Sequence, residues 1–168
     1  MGIPGFYAYL KHKFNINFLI DELKNINYLF MDANSIIHNI CTEITTTYAD
    51  QNIEFLEKII ISSIIEYIDN LIQTYKPSDY IVIAIDGVPP TAKIQQQRLR
   101  RFKTVIDYEI KLNLKNKYKI ELKENKKWSS CFISPGTPFM KHLDKELKEY
   151  VKKNKKIIYS SYKEEGEG

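Results

Sequence analysis

Of the 25 Lys and Arg residues in this 168-residue chain, three are arginine, and all three lie between positions 98 and 101. The chain uses lysine everywhere else, so the exception at Arg98, Arg100 and Arg101 asks for a chemical reason. A guanidinium is planar, permanently charged and able to grip a phosphate through two parallel hydrogen bonds, a geometry that an ammonium lacks. Lys93, Gln97, Arg100 and Arg101 are spaced i, i+4, i+7 and i+8. At 3.6 residues per turn they fall within an arc of about 100° on a helix. That face would offer an ammonium, an amide and two guanidiniums, all donors suited to a terminal phosphate. Arg98 falls nearer the opposite side, with Ile94, Leu99, Phe102, Val105 and Ile106, and reads as structural. That apolar side is expected to pack on a sheet. A solvated basic face is the plainer alternative, but it leaves unexplained why arginine displaces lysine only here.

Carboxylates stand close by. Tyr80–Ile85 is a β-branched run that ends at Asp86-Gly87, and Tyr28–Met31 is a short apolar run that ends at Asp32. After a third run, Ile157-Ile158-Tyr159, the chain carries Glu165 and Glu167. In a parallel sheet, ligands collect beyond the carboxyl ends of the strands, so three strand tips would deliver acids toward one edge. Hard cations such as Mg²⁺ or Mn²⁺ take oxygen ligands of this kind. Two such ions about 3.5–4 Å apart activate water and stabilise the leaving oxygen in phosphodiester hydrolysis. Each acid has a bland reading too: Asp86-Gly87 as a tight turn, and Asp32 with Asn34 as a loop and helix cap. Metal-binding carboxylates beside phosphate-gripping groups point to a nuclease. His38, on the segment after Asp32, could stack on an unpaired base or bind phosphate, although a lone histidine is more often structural. His12 and His142 have no such context, and Trp128, the single tryptophan, reads as core or loop packing.

The elements that must hold these residues follow from periodicity. A first helix is predicted from about Gly5 to Phe14, with Phe6, Leu10 and Phe14 on one face. Tyr28–Met31 reads as a buried strand. A helix from Asn34 to about Cys41 would take Asn34 or Ser35 as its cap. A long helix is predicted from about Glu54 to Tyr75, with one wide apolar face and a stop at Lys76-Pro77-Ser78. Tyr80–Ile85 reads as a strand buried on both faces, followed by the basic helix from about Thr91. Lys115–Lys127 is charged and weakly periodic and reads as a mobile or surface segment. Thr137 followed by Pro138 is an N-cap and first-turn proline, opening a helix to about Lys153. The alternation implies an α/β fold, a parallel sheet between helices.

Composition sets limits without naming a function. The length suits one domain or a piece of a larger one, and 43% apolar residues suffice for a core. A net charge of +4 is too mild to establish nucleic-acid binding. Cys41 and Cys131 have no paired spacing, which argues against a zinc site or a disulfide framework and for reduced thiols in a cytoplasmic or nuclear protein. No apolar run reaches the length of a membrane span, no signal peptide is expected, and Phe6 occupies the position where a myristoylation motif needs Ser or Thr.

Five stretches carry a resemblance. MGIPGFYAYL at the start, MDANSIIH (Met31 to His38), DGVPPTAKIQQQRLRRF (Asp86 to Phe102), WSSCFISPGTPFM (Trp128 to Met140) and SSYKEEGEG at the end resemble, in order and at compatible spacing, the 5′→3′ exoribonucleases of the Xrn/Rat type. The resemblance implies a 5′-nuclease or PIN-like α/β fold related to flap endonucleases, of which this chain would be the N-terminal portion. It implies that Asp32, Asp86 and Glu167 are catalytic acids that hold Mg²⁺ or Mn²⁺. It implies that Lys93, Gln97, Arg100 and Arg101 grip a 5′-monophosphate, and that His38 stacks on a base of single-stranded RNA. Three positions depart from the pattern: Thr91 stands where the family usually has Arg, Ser129 where Asp is common, and Glu165 where Pro is expected. Keeping both glycines makes Glu167 the first glutamate of the family's Gly-Glu-Gly-Glu-His motif; a shifted register would pair Glu165 with Glu167. The family also needs later aspartates, so the rest of the catalytic domain is expected beyond residue 168, and the portion could be inert by itself. A flap-type DNA 5′ nuclease and a non-catalytic RNA-binding fragment remain the alternatives.

Overall fold

The three apolar runs form three parallel strands, β1 (Tyr28–Asp32), β2 (Tyr80–Ala84) and β3 (Ile157–Ser160), in the order β1-β2-β3. The computed structural model describes residues 5–14, 26–119 and 128–166. Helix α1 (Phe6–Phe14) comes first; α2 (Ala33–Thr47) and α3 (Ile53–Tyr75) connect β1 to β2; α4 (Thr91–Tyr118) and α5 (Pro138–Val151) connect β2 to β3. The register sets Asp32 opposite Ala84, and Ala84 opposite Ser160, so the three strands end level at one edge.

One sheet face carries the core. Met31, Ile81, Ile83 and Ile157 point there with the period-two alternation of a strand, and all are buried. Against them lie Ile37 of α2, Leu56, Ile60, Ile64 and Ile68 of α3, and Phe139, Met140, Leu143 and Leu147 of α5. Burying each such side chain is worth about 1.5–3 kcal/mol, so these helices are fixed chiefly by their apolar stripes. Their ends are set by local chemistry. The Asn52 side chain accepts from the Phe55 N–H at 2.8 Å to start α3, and Lys76 closes it in the left-handed region at φ +43°. Thr137 caps α5 with Pro138 in the first turn, as the sequence predicts.

Several expectations are corrected. β1 is not a buried strand: Tyr28 and Phe30 are 53% and 71% exposed, because β1 lies at the edge of the sheet and its outer face is uncovered among the described residues. Tyr80 and Ile158 share that open face, and Tyr28 stacks on Tyr80 at 6.3 Å. Asp32, not Asn34 or Ser35, caps α2, and α2 runs on to Thr47. The basic helix does not pack its apolar side on the sheet: α4 buries no residue, and Leu99, Phe102, Val105 and Ile106 are exposed. Lys115–Tyr118 continues α4 as regular helix rather than as a mobile segment, and residues 120–127 lie outside the described part. Helix α1 matches its predicted span, but its Phe6 and Phe14 are exposed.

Candidate functional site

The carboxyl edge of the sheet gathers the acids through the backbone. Oδ1 of Asp32 accepts from the Asn34 N–H at 3.1 Å, which starts α2 directly at the tip of β1. Oδ1 of Asn34 in turn accepts from the Asp86 N–H at 3.4 Å. Asn34 thus links the tips of β1 and β2, and Asp32 and Asp86 lie to either side of it. The acidic segment after β3 comes back to the same place. Gly87 N–H donates to the Gly166 carbonyl at 3.0 Å, and Val88 and Glu165 form a parallel bridge. Gly87 is required by this approach: a Cβ there would lie 1.7 Å from the Glu164 carbonyl oxygen. Glu167 lies outside the described residues. Among the described residues no group of three or more Asp, Glu, His or Cys comes together to hold a cation. Asp32 and Asp86 carry the oxygen donors that a hard cation takes, and among the described residues no third such side chain joins them.

Beside Asp86 opens a cavity of about 620 Å³ between α2, α4 and the segment from Trp128 to Pro135. Asp86 and His38 border it on one side, and Gln97, Arg100 and Arg101 of α4 on another. Of the seven expected positions that are described, two do not reach it. Lys93 sits one turn earlier on α4, and Asp32 has turned its carboxylate to the start of α2. Arg98 is exposed and outside the cavity, consistent with its position on the other side of the helix, although it packs into no core.

The electrostatics of the cavity show in His38. Its pKa is held below the usual 6.5, first by partial burial, then by the positive Arg100, with Asp86 pulling the other way. The imidazole is thereby biased toward its neutral form and offers a flat π face rather than a second positive charge. Arg101 reaches across the cavity, its Nη2 donating to Ser134 Oγ at 2.7 Å. Trp128 meets Phe132 and Phe139 edge-on, each at 5.2 Å, which bears out its packing role while its ring also borders the cavity. Sequence reasoning missed the wall made by Thr104, Tyr108, Ser130 and Ser134. The run Ser129-Ser130-Cys131 beside a Pro-Gly turn was the one available hint, and it says nothing about which element it faces.

A parallel α/β layout with acids at level strand tips, next to a guanidinium-lined cavity, defines the class of the protein as nuclease-like. The chain belongs to the family described as the XRN 5′-3′ exonuclease N-terminus, whose family model matches residues 1–168. Among its relatives, 5′-3′ exoribonuclease 1 of Saccharomyces cerevisiae is 34% identical across 100% of this chain, which spans 12% of that protein. The 5′-3′ exoribonuclease 1 of Homo sapiens is 30% identical across 90% of this chain, matching 9% of its own length. The 5′-3′ exoribonuclease 2 of Schizosaccharomyces pombe is 34% identical across 73% of this chain and 13% of its own length.

Proposed function

We propose that this chain forms part of an enzyme that removes nucleotides processively from the 5′ end of single-stranded RNA bearing a 5′-monophosphate. One observation carries the reading: Asp86, His38, Gln97, Arg100 and Arg101 border a single cavity in a member of the XRN family. Arg100 and Arg101 hold the terminal phosphate through paired charge-assisted bonds, Gln97 adds an amide donor, and Lys93 adds positive charge from one turn away. The neutral ring of His38 stacks on a base near the 5′ end. Asp32, Asp86 and Glu167 supply carboxylates for Mg²⁺ or Mn²⁺, with further ligands from the rest of the protein. Such an ion, when bound, lowers the pKa of a water and neutralises charge on the leaving oxygen. A recess whose donors are spent on one phosphate disfavours a capped or triphosphorylated end.

The test uses the full-length protein with RNAs of one sequence that carry a 5′-monophosphate or a 5′-triphosphate, and DNA of the same sequence. Only the monophosphorylated RNA should be shortened from its 5′ end, and chelation of divalent cations should stop the reaction until Mg²⁺ is restored. Arg100→Ala should reduce the preference for monophosphate over triphosphate by about tenfold, the worth of roughly 1.4 kcal/mol. Asp86→Ala should abolish turnover while RNA is still bound. Equal degradation of both RNA ends would remove the phosphate pocket from the reading. Comparable degradation of DNA would transfer the chain to the flap-type alternative, and undiminished turnover in Asp86→Ala would remove its metal role.

A further inference from the structure

Arg101 is set on a helix that gives it no support of its own. α4 buries no residue along its whole length, and the Arg101 residue is itself exposed. A long side chain on such a surface samples many rotamers, and each bond it makes to a ligand must overcome that freedom. The structure supplies one fixed point: Ser134 Oγ, which accepts from Arg101 Nη2 at 2.7 Å. Ser134 is 8% exposed. Its carbonyl accepts from both the N–H and the hydroxyl of Thr137, at 3.2 and 3.0 Å. Thr137 is the cap of α5, and α5 is anchored by the fully buried Phe139, Met140, Leu143 and Leu147. The backbone of Ser134 is thus tied to the rigid core through the α5 cap, and its hydroxyl meets Arg101 at the cavity wall.

We propose that Ser134 is a positioning residue that locks the Arg101 guanidinium, through the α5 cap, in the orientation that receives a terminal phosphate. The inference rests on the function proposed above and adds a residue to it. A guanidinium has five N–H donors, and a hydroxyl that accepts one of them leaves the others for phosphate oxygens. The serine therefore orients Arg101 without competing for it. An acidic residue here would orient the arginine equally well and cancel its charge; a neutral acceptor keeps the charge available.

The experiment measures kcat and KM of the full-length protein on RNAs ending in 5′-monophosphate and 5′-hydroxyl. Ser134→Ala should raise KM for the monophosphorylated RNA roughly fivefold while kcat changes little, since orientation is lost and chemistry is not. KM for the hydroxyl end should stay as it is. Ser134→Thr, which keeps the acceptor, should restore KM. Ser134→Ala combined with Arg101→Ala should be no worse than Arg101→Ala alone. A Ser134→Ala loss that falls equally on both ends, or that Ser134→Thr does not rescue, would mean that the serine only supports the fold. If Arg101→Ala lowers the preference for monophosphate and Ser134→Ala does not, the positioning role alone fails. If Arg101→Ala itself leaves that preference unchanged, Arg101 has no phosphate role and both readings fall together.

Discussion

The balance of charge around His38 makes that one side chain a reporter on the whole cavity. Arg100 pushes its pKa down and Asp86 pushes it up, while partial burial favours the neutral ring. The imidazole C2 proton of His38, followed by NMR, should therefore titrate below 6.5. Arg100→Gln should move the midpoint up, Asp86→Asn should move it further down, and a bound phosphate should raise it. A midpoint that ignores all three changes would separate His38 from the cavity. The sign carries over to folding. The unfolded chain binds the His38 proton more readily than the folded one, so this residue's contribution to stability weakens as pH falls from 6.5 toward the folded midpoint.

At the scale of elements, the join between α5 and β3 depends on a buried acid. Asp144 accepts from Lys148 Nζ at 2.7 Å, Ser161 Oγ at 2.6 Å and Tyr159 OH at 3.0 Å. Burial alone would raise its pKa, but these three bonds and the Lys148 charge together hold it below the ordinary 3.8. A depressed carboxylate contributes stability that is present above the unfolded pKa and lost as pH falls through the folded one. Asp144→Asn should cost about 2–4 kcal/mol in urea denaturation at pH 7, and the deficit should shrink as the pH is taken below 3.8 toward the folded midpoint. A deficit that is constant with pH would trace the loss to packing and not to charge. The element scale also shows what a reader of the sequence can and cannot see. While β2 stops at Ala84, short of the expected Ile85, the Thr137-Pro138 start of α5 and the end of β1 at Asp32 are legible because they are decided by neighbours in the chain. The fate of α4 is not. Its pattern says that Leu99, Phe102 and Ile106 share a side, but periodicity cannot say whether a partner lies there, and among the described residues none buries them. Ser134 was invisible for a related reason, since it meets Arg101 across 33 positions of chain. Asn34 was read as a cap, and its reach to the Asp86 backbone, 52 positions away, lay beyond any local rule.

Taken whole, the described molecule has one finished side and one open one. The helices α2, α3 and α5 close the face that carries Ile81 and Ile83, while Tyr28, Phe30, Tyr80 and Ile158 stand exposed on the other. Parallel sheets are ordinarily covered on both faces, and a contiguous apolar patch binds hydrophobic dyes and promotes association. The 168-residue chain by itself should enhance the fluorescence of anilinonaphthalene sulfonate and self-associate in sedimentation. Phe30→Thr should reduce both while changing stability by no more than about 0.5 kcal/mol, because Phe30 is 71% exposed. Dye binding that is indifferent to Phe30 would locate the sticky surface elsewhere.

The main-chain contact at Gly87 has a bearing on heredity. The obstacle that any larger residue would meet is the carbonyl of Glu164, not its side chain. Exchanging the amino acid at 164 leaves that oxygen where it is, so a damaged allele at codon 87 has no simple suppressor across the contact. Lineages that keep this layout inherit the glycine as a fixed character, whatever side chain stands at 164.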